Sequence, residues 1–135
     1  MESGIQQIQG GGTVEIIPPN IQQEEPIPDS ARDILVELAA KSAEVENLIS
    51  EGALAAVWVP AIRAKNLALA LLDNHVNEIP LRQREVALSA VGRLMRAAWQ
   101  IDTQGDLGDK SKIVTVHAAF SAAIGEINEA FASLR

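Results

Sequence analysis

From residue 29 onward the apolar residues of this chain fall three and four positions apart, in four stretches separated by short polar or glycine-bearing breaks. Residues so spaced share one side of an α-helix, whereas a half-buried strand would need strict alternation. Each stretch is about 20–25 residues, or about 30–37 Å as a helix. Helices of matched length joined by short links lie antiparallel to their neighbours. The sequence therefore predicts an all-α fold, an antiparallel up-down four-helix bundle over residues 29–135 behind a disordered, flexible tail over residues 1–28. Composition agrees: 47% of residues are hydrophobic but only 3% aromatic, so the core must be built from Ala, Leu, Val and Ile. Such small side chains suit closely packed helices.

In the tail, Gly10-Gly11-Gly12 is flexible, and Pro18-Pro19, Pro26 and Pro28 forbid a regular helix. Val14 to Ile17 has the composition of a short strand without a partner strand in the sequence. The first helix is expected to start near Asp29 or Ser30, either of which can cap it, and to end at Gly52; Ile34, Leu35, Leu38, Val45, Leu48 and Ile49 form its apolar stripe. The second covers about 53–73, with Val57, Ala61, Ala64, Ala68 and Leu71 inward. Pro60 implies a bend or a separate first turn there. The third begins at Pro80, with Leu81, Leu88, Val91, Met95, Ala98 and Trp99 as its apolar face and Arg82, Ser89, Arg93, Arg96 and Gln100 opposite. Gly92, beside that face, points to close approach of a neighbouring helix. A break is expected over 102–109, followed by a fourth helix over about 109–133 carrying Ile113, Val116, Phe120, Ile124, Ile127, Phe131 and Leu134.

The formal net charge of −7 argues against nucleic acid as a partner, because affinity for phosphates rests on Lys and Arg. With no cysteine, disulfides, thiolate metal sites and a Cys nucleophile are excluded. The start of the chain has neither the basic region nor the apolar run of a signal peptide. Ala53 to Leu72 is apolar enough to raise the question of a membrane span. Arg63 and Lys65 sit at its middle, where each charge would cost about 2.5–3.5 kcal/mol, so a core helix of a soluble bundle is expected and no transmembrane segment.

The candidate sites are few. Asp102, Asp106 and Asp109 cluster in the expected third break, but their spacing does not match a calcium loop, and the simpler reading is that Gly105 closes one helix while Asp106 or Asp109 caps the next. His75, read as a loop residue, and His117, read as mid-helix, are the only histidines and make a weak metal-site candidate without cysteine. Arg82, Arg93 and Arg96 on one face suit an anionic partner or pairing with neighbouring carboxylates. Trp58 and Trp99 suit a pocket or the rim of the core, and Lys65 a stem packed beside it with its ammonium outward. No nucleophile–base set, nucleotide loop or HExxH motif is present, so no enzyme is expected.

Four stretches carry a resemblance: Glu51 to Val57, Ala61 to Leu67, the turn Gly105-Asp106-Leu107-Gly108-Asp109-Lys110 and the closing helix with Phe120. From Asp33 on, the chain resembles a family of small helical bacterial domains found with heavy-metal efflux systems. The family pattern runs G-x-L-x-x-[VI]-H and then D-x-x-G-D-x-G-D. Trp58 stands where the family tends to have its histidine, and Asn66 where it tends to have an acidic residue. The resemblance implies a bundle fold and a periplasmic or envelope setting, with this chain as a piece of a longer exported protein; a cytoplasmic setting is the alternative. Three functional readings stay open. One is a non-enzymatic protein-interaction module without cofactor, linked to metal efflux or stress, engaging a protein partner through Trp58, Lys65, Arg82, Arg93 and Arg96. The second is a metal- or small-ligand-binding bundle. The third is a structural oligomerisation domain such as a homodimer, which the Ala-rich second helix suits.

Overall fold

The computed structural model describes residues 25–134; positions 1–24 of the expected flexible tail, with the strand-like Val14 to Ile17, lie outside those residues, whereas 25–28 run non-helical along the bundle with Ile27 packed against the core. The described chain is all-helical, with four long helices: α1 (Ala31–Ser50), α2 (Trp58–His75), α3 (Leu81–Leu107) and α4 (Lys110–Ala130). Short 3₁₀ turns at Leu54–Ala56, Val76–Glu78 and Ala132–Leu134 sit between and after them. Each helix packs on the next in sequence, and α1 packs on α4 to close the ring.

The helix ends follow local chemistry. The Ser30 hydroxyl accepts from the Asp33 N–H at 3.1 Å, which caps α1. α1 ends in a Schellman turn, in which Gly52 N–H donates to Ile49 O and Ala53 N–H to Leu48 O. Gly52 takes φ 78°, a left-handed conformation that a Cβ would strain. Pro60 does not break α2. It is the third residue of the helix, where no backbone N–H has an internal partner to lose, and the 3₁₀ turn Leu54–Ala56 is the separate element that precedes it.

Two expectations about α3 are overturned. The helix does not stop near 102: it continues to Leu107, so Asp102 and Asp106 are helical residues and not loop residues. Gly108, with φ 71°, is its left-handed end, and Gly105 is a buried helical position. The continuation follows packing, because Leu94, Ala98, Ile101 and Gly105 extend the inward row at spacings of four, three and four. Secondly, the buried face is Ala87, Ala90, Val91, Leu94, Ala97, Ala98, Ile101 and Gly105. Only Val91 and Ala98 of the expected apolar face are buried; the helix is rotated by roughly a quarter turn from that reading.

The other helices bury the expected rows. On α2, Ala61, Ala64, Leu67, Ala68 and Leu71 are fully enclosed, and on α4 Ile113, Phe120, Ile124 and Ile127 join Phe131 in the core. The segment Leu54–Glu78 is long and apolar enough to cross a membrane by length and composition, yet its inward positions are spent on this core.

Candidate functional site

Rotation of α3 leaves large apolar side chains outside. Leu81, Leu88, Met95 and Trp99 are 74%, 57%, 37% and 67% exposed, and their spacings of seven, seven and four put them on one side of the helix. Trp58, 46% exposed, opens α2 beside the end of α3, because Leu54 and Val57 lie against Gly105. Half-buried Lys65, Leu69 and Leu72 continue the row along α2, on the side turned away from Arg63. The outer surface of the α2–α3 pair is therefore an apolar strip with a tryptophan on each helix. The other exposed large apolar residues, Val36, Val59, Val86, Leu107 and Val114, are scattered on separate helices or faces, Val86 on the far side of α3 and Leu107 at its last position.

Charges rim the strip. Glu85 and Arg96 are both exposed on α3, about 20° apart around its axis on the same flank of the apolar row. Neither makes a hydrogen bond or ion pair among the described residues, and the same holds for exposed Arg82. Arg93 differs: its guanidinium grips Glu126 of α4 with two bonds of 2.7 Å. That hydrogen bonding holds the Glu126 carboxyl below the usual carboxylate range and raises Arg93 in return. Of the three arginines, Arg93 is thus the one paired among the described residues. Gly92, near the middle of the strip, has nothing within 4 Å of where a Cβ would sit, so no helix among the described residues approaches it.

A second polar feature lies between α1 and α2. Arg63, 9% exposed, is the buried charged residue of the described chain. It donates to both Glu37 oxygens at 2.8 and 3.1 Å, and to the backbone carbonyls of Glu25 and Pro26 at 2.6 and 3.1 Å. The Arg63 hydrogen bond pulls the Glu37 carboxyl below its ordinary range against the opposing effect of burial, with help from Lys41 at 4.0 Å. The sequence reading treated Arg63 only as a charge barring a membrane span; an Arg on the boundary of a buried stripe, facing a Glu on the preceding helix, was the available signal.

The histidines are not brought together. His75 is the last residue of α2 and not a loop residue, with Nδ1 at 3.1 Å from Glu78 Oε2. His117 Nε2 lies 3.1 Å from the Ser42 carbonyl oxygen and 3.3 Å from its hydroxyl, beside the Phe120 ring. Asp109 caps α4 by accepting from the Lys112 N–H at 3.1 Å, while Asp102 and Asp106 lie within α3 and cap nothing. Among the described residues no three His, Asp or Glu are grouped to hold a metal. A cavity of about 280 Å³ between α3 and α4 is lined by Gln100, Gln104, Ser111, Lys112, Thr115 and Val116. Gln104 Oε1 is buried there without a hydrogen-bond donor among the described residues.

Comparison with protein-family models, curated proteins and solved structures gave no match.

Proposed function

We propose that this chain is a non-enzymatic helical protein-interaction module, an antiparallel up-down bundle that docks a protein partner on the outer face of α2 and α3. The observation that supports it is the strip of Trp58, Leu81, Leu88, Met95 and Trp99 left in water by a helix that fills its inner face with alanine. By the size of such side chains the strip amounts to on the order of 600 Å² of apolar surface, the upper end of what a monomer leaves uncovered without a use for it. Its two tryptophans, gathered toward the end of the strip nearest the C-terminus of α3, are the side-chain type that concentrates binding energy. The partner it fits presents an apolar ridge flanked by one carboxylate and one cation, to meet Arg96 and Glu85. The up-down arrangement is supported by the short links and neighbour-to-neighbour packing. The envelope setting and the link to metal efflux or stress belong to the same proposal, supported by the sequence pattern alone.

Site-specific photocrosslinking tests it. A benzophenone amino acid at position 95, carried by the protein in the cells that make it, is expected to give a discrete protein adduct. The same probe at exposed position 118 on α4 should give none. No adduct from position 95, or equal adducts from both, overturns the proposal.

A further inference from the structure

Resting on that docking face, we infer that its occupant is a second copy of this chain, with α3 packed against α3 of the other copy in the opposite direction about a two-fold axis near Val91 and Gly92. Three observations carry it. The first is charge. With the two helices antiparallel, residues on one flank meet residues of the same flank on the other copy. In the register that sets Leu88 against Met95, Glu85 then lies within two positions, about 3 Å of helix rise, of Arg96 of the second copy, and Arg96 likewise of its Glu85, inside the reach of both side chains. All four of these side chains are outside the core, and the two charged ones have no partner among the described residues. A parallel pairing about a two-fold would carry this flank to the far side of the seam, where Glu85 and Arg96 do not meet each other across the copies, so the charges select the antiparallel one.

The second is Gly92. A glycine inside a helix destabilises it by about 1 kcal/mol relative to alanine. Gly105 has a reason within the chain, since a Cβ there would meet the Leu54 carbonyl oxygen at 2.6 Å. Gly92 has none, having open space around it. It falls beside the axis, where two helices crossing at the centre of a dimer come closest and where the lack of a side chain lets their backbones approach. The third is area. The apolar strip of on the order of 600 Å², with its rim of Glu85, Arg96 and Lys65, reaches the roughly 800 Å² per partner of a standard stable interface.

Sedimentation equilibrium on the purified full chain at on the order of 100 µM is the test, a concentration at which micromolar self-affinity gives mostly dimer. The expected mass is twice the 14.4 kDa of one chain. Leu88→Glu should return it to 14.4 kDa with an unchanged far-ultraviolet circular dichroism spectrum, because Leu88 is not part of the core. Glu85→Arg and Arg96→Glu should each weaken the dimer by about tenfold or more, through two like-charge contacts. The double exchange should recover affinity to within about threefold. A wild-type monomer, a dimer indifferent to Leu88→Glu, or a double variant as weak as the singles each overturns the inference. A monomer that still gives a position-95 adduct with a different protein overturns self-pairing alone and leaves the docking face standing; the absence of any adduct removes both.

Discussion

Gly105→Ala is the sharpest test of the packing that holds the docking face in place. Helix propensity by itself forecasts a gain, since alanine is favoured over glycine by about 1 kcal/mol in a helix interior. The structure forecasts the reverse. An added Cβ would lie 2.6 Å from the Leu54 carbonyl oxygen and 2.8 Å from Val57 Cγ2. One obstacle is backbone and the other is a fully buried valine, so neither can swing aside. Overpacking of this kind typically destabilises by about 1–3 kcal/mol, and an immovable carbonyl puts it at the upper end. Net of the propensity gain, the expected loss is about 2 kcal/mol. For a folded region of this size that corresponds to roughly 8 °C in Tm.

The assay is urea unfolding followed by circular dichroism, with Gly125→Ala as the control. Gly125 is exposed on α4 with nothing within 4 Å of a built Cβ, so there the propensity term stands alone and stability should rise by about 0.5–1 kcal/mol. The midpoints of the two variants should move in opposite directions with the urea slope unchanged. A neutral or stabilised Gly105→Ala would refute the close approach of the Leu54–Ala56 turn to α3, and with it the placement of Trp58 beside the end of that helix.

Other consequences are as direct. Arg63→Met removes two charged bonds to Glu37 and two to backbone carbonyls and should lower unfolding stability by about 2–4 kcal/mol in urea titrations; Arg63→Lys should recover little, lacking the planar fork. Glu37 has its folded pKa depressed, so its contribution is fully present above the ordinary carboxylate range and is lost as pH falls through the lowered value. The stability difference between wild type and Arg63→Met, measured from about pH 7 downward, should therefore narrow in acid; a constant difference would show that the ion pair adds nothing beyond packing. Ser30→Ala and Asp109→Ala should each cost about 1 kcal/mol in thermal melts by uncapping α1 and α4, whereas Asp106→Asn, at an exposed helical position that caps nothing, should stay within about 0.5 kcal/mol.

The number and kind of elements were legible in the sequence because they depend on periodicity and on caps, and both are local. The rows on α1, α2 and α4 were readable since each helix carries a single dense apolar stripe. α3 was misread because it carries two. One is a row of alanines with Val91, Leu94, Ile101 and Gly105; the other holds Leu81, Leu88, Met95 and Trp99. Side-chain size favours the second as the core, and the first expectation followed size. What decides is the distance between helices: α3 must fit against α2 and α4 at once, and Ala87, Ala90, Ala97, Ala98 and Gly105 are what allow two neighbours to lie close. The apparent break at 102–109 failed for the same reason, since Gly105 marks close contact with Leu54 and not the end of a helix. No single-helix pattern contains that information. The consequence bears on function. A helix that gives half of its inward face to alanine keeps Leu81, Leu88, Met95 and Trp99 outward, on the side where Gly92 has no neighbour and Glu85 and Arg96 find no partner among the described residues.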